Sequence, residues 1–331
     1  MLHSSRLKLL FTVSVFALLI GLPLPAVFAS SGTNSALKPI HVASAPWGVA
    51  FDPKNNLTYV TNSGGNSVSV INSSNLVVMT IKVKHTPQEI AYDPNNNELY
   101  VADGAGNVSV ISNNLVIKTL KAGGNPTGVA VDTVQKLVFV DNLGSGTITV
   151  INAATNKVKT TIVLPSGASP WGAAFVASPT APFDSLYVAN AADNSVFVIN
   201  TVTLKLVNTI SLGTATNPWG VVFNSQNNWL YVSDFGSNSV SVLTVSGLLA
   251  TIHVGSSPYF LVFDKTNGNV YVTDTGGFGI HPKGNVTVIS SETVIKTLKA
   301  GTTPWGMALD TVTGNLYVAD QGSNSVNVLK A

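Results

Sequence analysis

The sequence predicts an all-β fold: a seven-bladed β-propeller with four-stranded blades, its ring closed by an N-terminal strand that completes the last blade. Three observations lead there. A motif beginning Pro46-Trp47-Gly48-Val49-Ala50-Phe51-Asp52 and running to residue 72 recurs seven times. Its copies open at Pro46, Pro87, Pro126, Pro170, Pro218, Pro258 and Pro304, 39 to 48 residues apart, the length of one propeller blade. Each copy is a series of short alternating runs rich in β-branched residues and punctuated by turn residues, the mark of strands rather than helices. The chain also stops after a third strand, 325–329, and its missing fourth lies near the start. There, Ile40-His41-Val42-Ala43-Ser44-Ala45-Pro46 matches Ile252-His253-Val254-Gly255-Ser256-Ser257-Pro258 in register.

In order, the first strand of blade 1 is 47–52, ending in the turn Asp52-Pro53-Lys54-Asn55-Asn56. The second is 57–61, followed by the turn Asn62-Ser63-Gly64-Gly65-Asn66. The third is 67–71 and the fourth 77–83. Strict alternation places Trp47, Val49 and Phe51 on one face and Gly48, Ala50 and Asp52 on the other, so a bulky face can interlock with a neighbour's small one. Residues 38–42 complete blade 7. Residues 38–331 are therefore one domain, because closure hides the apolar ends of the blade stack.

The first 29 residues read as a secretory signal peptide. His3, Arg6 and Lys8 precede an apolar run at 9–20, and Val27-Phe28-Ala29 supplies small residues before a cut after Ala29. Residues 30–37 are a polar, flexible tether. The apolar run is short of the ~20 residues that span a bilayer, so membrane attachment requires the segment to be retained. The expected location is extracytoplasmic, at the cell surface or secreted.

The whole chain has 17 Lys+Arg against 15 Asp+Glu. Losing Arg6 and Lys8 leaves 15 against 15 and no arginine, which argues against nucleic acid as a partner. Charged residues make up only 10%, against ~25% in ordinary soluble proteins. Asn, Ser and Thr must supply the surface polarity, which suits an exterior of variable or low pH. There is no cysteine, hence no disulfide and no lipid on a thiol.

The tetrapeptide Tyr59-Val60-Thr61-Asn62 and its copies Tyr100-Val101-Ala102-Asp103, Phe139-Val140-Asp141-Asn142, Tyr187-Val188-Ala189-Asn190, Tyr231-Val232-Ser233-Asp234, Tyr271-Val272-Thr273-Asp274 and Tyr317-Val318-Ala319-Asp320 resemble the signature of YVTN-type β-propeller repeat proteins. The resemblance covers 38–331. It implies a secreted or surface-layer-like protein acting in interaction or structure, with an unidentified protein or glycan at the cell surface as partner. Fold alone does not settle function. The other class is a propeller enzyme of lactonase or streptogramin-lyase type. Regucalcin-type lactonases hold a divalent ion with a Glu plus Asn and Asp, whereas this chain has only Glu89, Glu98 and Glu292. The lyase family implies paired histidines on one face, and no such pair stands out.

Several residue sets invite a functional reading. Asn62, Asp103, Asn142, Asn190, Asp234, Asp274 and Asp320 form one polar position per blade. Asn and Asp interchange there, as turn capping allows and a metal ligand would not. Asp52, Asp93, Asp132, Asp264 and Asp310 read likewise as turn caps. Trp47, Trp171, Trp219, Tyr259 and Trp305 follow opening prolines and either line a mouth or pack between blades; packing is the expectation. Blade 2 departs most, with Gln88-Glu89 in place of Trp-Gly and His85 before Pro87. A His–Glu pair could transfer protons, but a solvated Glu89 in a drifted repeat is expected. Blade 6 lengthens its second-to-third loop with Phe278, Ile280 and His281, on the face that also carries the fourth-to-first loops, where binding residues gather. His41 and His253 lie on outer strands. No His-Glu-x-x-His motif or nucleophile elbow appears, so no catalytic residue, metal or cofactor is assigned. Asn56, Asn72, Asn107 and Asn285 open N-glycosylation sequons.

Overall fold

The computed structural model describes residues 38–177, 184–214, 216–277, 279 and 282–331. The expected signal peptide and tether lie outside these residues, as do Phe278, Ile280 and His281. Among the described residues, seven sheets of four antiparallel strands follow one another in a ring. Blade 1 consists of Pro46–Asp52, Leu57–Asn62, Ser67–Asn72 and Val77–Lys82. The later blades begin with Pro87–Asp93, Pro126–Asp132, Pro170–Val176, Pro218–Asn224, Pro258–Phe263 and Pro304–Asp310. Blade 7 ends with Ser325–Lys330, and its fourth strand is Ile40–His41, with Ile40 opposite Val326. The Val42 N–H extends that pairing to the Asn324 carbonyl at 3.1 Å.

The core lies between blades. Ala50, Tyr59, Val68 and Val70 of blade 1 pack against Ile90, Leu99 and Val101 of blade 2. On the other face of the same sheet, Val49, Phe51 and Val60 pack against Tyr317, Val326 and Val328 of blade 7, and Ile40 joins them. Each sheet is thus buried on both faces, which explains the long apolar runs in its middle strands.

One expectation changes. Strict alternation placed Trp47 with Val49 and Phe51. In every blade, however, the pairing of first and second strands slips just after the opening proline, between Pro46 and Val49 in blade 1 and at the matching place in the others. A bulge re-aims the side chains beside it, and the aromatic after proline in blades 1, 4, 5, 6 and 7 turns toward its counterparts around the ring axis, whereas Gln88 and Thr127 bond to the next blade or its linker. The glycine that follows is there for space. A Cβ on Gly48 would lie 2.7 Å from the Gln88 carbonyl oxygen, and one on Gly172 2.7 Å from that of Trp219. First strands of successive blades touch backbone to backbone at this level, except where Glu89 and Phe260 replace glycine.

Candidate functional site

The bulges gather the residues that follow the opening prolines at one end of the ring axis. Trp219 stacks with Trp171, ring centroids 4.1 Å apart and planes 7° apart, and with Phe235 at 4.2 Å and 8°. Tyr259 meets Trp305 edge-on at 4.3 Å and Trp219 at 5.0 Å, while Trp47 lies 4.2 Å from Trp305. The Trp47 indole N–H donates to the Tyr259 hydroxyl at 3.0 Å. Offset and edge-on contacts of this kind add to the area the rings bury. These aromatics therefore pack on one another from blade to blade, as expected, but around the ring axis rather than within the sheet-to-sheet cores. Phe235 belongs to the second-to-third loop of blade 5, so the cluster marks the end bearing those loops and the fourth-to-first linkers. Nothing in the repeat pattern singles out Phe235, which follows the tetrapeptide of one blade only.

Against this cluster lies a cavity lined by Glu89, Thr127, Gly128, Val129, Trp171, Gly172, Ala173, Trp219, Gly220, Val221, Tyr259, Phe260 and Leu261. It leaves about 70 Å³ for the centres of water-sized groups, room for on the order of five of them. Glu89 is not solvated as expected; it is 8% exposed. Its carboxylate accepts one hydrogen bond, at 3.3 Å from the N–H of Ile90. Burial pushes its pKa up to about 8, the response of a carboxyl without a counter-charge. The Tyr259 hydroxyl is held well above its usual range by burial and then by the Glu89 charge. His85 stays exposed on the linker before Pro87, so the structure separates it from Glu89. His41 and His253 are exposed on outer strands.

A second buried carboxyl, which the sequence left unremarked, is Asp141. It stands where blades 1, 5 and 6 have Thr61, Ser233 and Thr273, whose hydroxyls accept from the bulge N–H groups of Gly48 at 2.8 Å, Gly220 at 2.8 Å and Phe260 at 3.0 Å. Both oxygens of Asp141 are buried without a partner, and burial raises its pKa to about 7. The signal was present in the tetrapeptide, where an acid replaces Thr, Ser or Ala.

The seven-fold Asn/Asp position proves to be more than a cap of its own turn. All seven side chains are buried. They join the third strand to the incoming linker: Asn142 accepts from the N–H of Gly123 at 3.0 Å, Asn190 from Ser169 at 2.8 Å and Asp320 from Gly301 at 3.1 Å. The hydroxyls of Ser109, Ser241 and Thr287 donate to Asp103, Asp234 and Asp274. Asp52, Asp93, Asp132 and Asp310 do cap their turns, accepting from the N–H two residues on at 2.8–2.9 Å. Among the described residues no three His, Asp or Glu side chains gather as metal ligands would. Of the sequon asparagines, Asn56 sits in a turn, Asn72 and Asn107 at strand ends and Asn285 within the strand Lys283–Ser290; all are half-buried.

No family model and no curated protein matches the chain. Solved structures do. A streptogramin B lyase structure superimposes with a TM-score of 0.75 at 14% identity, covering 88% of this chain and 96% of that one. Hydrazine synthase of Kuenenia stuttgartiensis gives 0.74 at 18%, covering 91% and 98%. Virginiamycin B lyase from Staphylococcus aureus gives 0.74 at 13%, covering 89% and 98%. At such identities the likeness is one of fold: the chain is a seven-bladed β-propeller.

Proposed function

We propose that this chain is an extracytoplasmic, cell-surface binding propeller of the YVTN-repeat type, without catalytic activity, that presents the aromatic end of its ring to a protein or glycan. The observation that carries this reading is the cluster of Trp47, Trp171, Trp219, Tyr259 and Trp305 packed across the axis, with the four tryptophans only half-buried. Aromatic side chains left partly open on a rigid scaffold are typical of recognition. The signal-like residues 1–29 and the low charge content support the location.

Cross-linking on the native cell surface tests the partner. Wild-type protein should recover a defined partner that a Trp171→Ser, Trp305→Ser double variant loses while its melting temperature holds. An unchanged partner set would remove the aromatic end from the reading. Mass spectrometry of the exported protein should find a start near Ser30.

A second reading, an enzyme of lactonase or streptogramin-lyase type, draws on Glu89 alone, since a buried carboxyl with a raised pKa can serve as a base. Incubation with quinupristin and with simple lactones decides it. Turnover that Glu89→Gln abolishes would replace the binding reading.

A further inference from the structure

We propose that the axial cavity is a binding site for one small organic cation, a protonated or quaternary amine, with the Glu89 carboxylate as its counter-charge. The inference is independent of the surface partner and concerns the interior of the ring.

Three observations converge. First, Glu89 occupies a place that is glycine in five blades and puts a carboxyl into the cavity with a single weak hydrogen bond from its own neighbour. No Lys, Arg or His lines that cavity. A buried carboxylate in such surroundings either stays protonated or takes up a positive charge. Second, Asp141 lies directly behind the cavity wall. Its Oδ2 is 2.6 Å from where a Cβ on the lining residue Gly128 would sit, and neither of its oxygens has a partner. Two carboxyls without a counter-charge, Glu89 with one weak hydrogen bond and Asp141 with none, therefore bear on one space, and the potential there favours a cation over an anion or a neutral ligand. Third, the remaining side chains on the wall are Trp171, Trp219, Tyr259, Phe260 and small or aliphatic residues.

That composition selects among cations. Calcium or magnesium needs several oxygen ligands, and the lining side chains offer one carboxylate and two hydroxyls: that of Thr127, already engaged with the Pro170 and Trp171 carbonyls, and that of Tyr259, already accepting from the Trp47 indole. An alkylammonium ion is weakly hydrated, presents methyl groups to aromatic walls and keeps its charge for the carboxylate. A cavity for on the order of five water-sized groups suits a molecule of that size. Binding should ionise Glu89. Below a pH of about 8 it is therefore accompanied by proton release, with Tyr259 and Asp141 the other titratable groups facing this space.

The experiment is calorimetric titration of the full chain with tetramethylammonium and choline, alongside tryptophan fluorescence, since Trp171 and Trp219 line the cavity and would report occupancy. The neutral choline isostere 3,3-dimethylbutanol and calcium chloride are the comparators. The expected result has four parts: saturable one-to-one binding of the two cations; none of the alcohol; an enthalpy at pH 7 that varies with the ionisation heat of the buffer; and a loss of about tenfold or more in affinity in Glu89→Gln, equivalent to ~1.4 kcal/mol. Asp141→Asn should weaken binding by a smaller factor. No saturable binding of either cation to wild type overturns the proposal. So does equal affinity for the alcohol, tighter binding of calcium than of choline, or unchanged affinity in a folded Glu89→Gln. Should that variant not fold, the comparison of choline with its neutral isostere on wild type decides alone.

Discussion

At the scale of the residue, the repeated tetrapeptide is a set of connections rather than a recognition motif. Its tyrosine is buried and reaches into the third-to-fourth turn of the next blade: the Tyr59 hydroxyl donates to Asn114 at 2.6 Å, Tyr100 to Asn156 at 2.6 Å and Tyr317 to Asn75 at 2.7 Å. Each acceptor asparagine holds a left-handed backbone, which asparagine tolerates better than most residues. Tyr59→Phe should cost about 1 kcal/mol, and a double-mutant cycle with Asn114→Ala should show that the two act together. The terminal Asn/Asp carries a second prediction. Asparagine offers both a donor and an acceptor, as when Asn62 donates to the Ala43 carbonyl and accepts from Ser67 and Ser69. An ionised aspartate only accepts, and Asp103, Asp234, Asp274 and Asp320 each leave one oxygen without a partner. Burial raises all four from the usual carboxylate range to about 7. The folded state therefore holds protons that the unfolded chain releases near pH 4. The stability these groups confer is complete below that pH and declines as pH rises through about 7. Melting temperature should fall between pH 4 and 8, and Asp→Asn at the four positions should flatten the profile, adding on the order of 1 kcal/mol each at pH 8. A profile that rises over this range would contradict the prediction.

At the scale of the element, the first strand decides what the ring encloses. Its bulge sends an aromatic to the axis in five of the blades, and the glycine after it, where present, lets adjacent strands close up. Gly172→Ala would drive a Cβ into the Trp219 carbonyl at 2.7 Å, a backbone atom that cannot rotate away. The expected cost is ~1–3 kcal/mol, read by chemical denaturation. Ala173→Gly, one residue on, leaves this contact untouched and should lack that overpacking cost. Blades 2 and 6 show the alternative, where Glu89 and Phe260 stand in place of glycine and both face the cavity.

At the scale of the whole molecule, closure rests on a very short strand. Ile40–His41 pairs with Ser325–Lys330, yet Ile40 is buried among Val49, Phe51, Val326 and Val328. It thereby joins blade 7 to blade 1, aided by Asn324, whose side chain accepts from the Ala45 N–H at 2.8 Å. Ile40→Ala should cost ~2–5 kcal/mol. His41→Ala, at an exposed position, should stay within about 0.5 kcal/mol. Equal effects would mean that backbone pairing, not the buried side chain, closes the ring.

The number of blades, the four strands in each and the source of the missing strand were legible in the sequence, because repetition and alternation are local and each copy confirms the others. The Asp52-type caps were legible for the same reason: their partners lie two residues away. The remaining features depend on residues far apart in the chain and emerge only once the ring is closed. The bulge beside Trp47 leaves no mark in a pattern read as strict alternation, so alternation grouped Trp47 with Val49 and Phe51 and could not show that the aromatics meet around the axis. The burial of Glu89 follows from four other blades closing over it, which no reading of blade 2 alone can supply. The Asn/Asp position looked like a turn because its sequence neighbours are turn residues, while its partners come from the linker and the third strand. Periodicity is short-ranged and survives in sequence. Axial convergence is a property of seven strands meeting, and it exists only once the ring is closed.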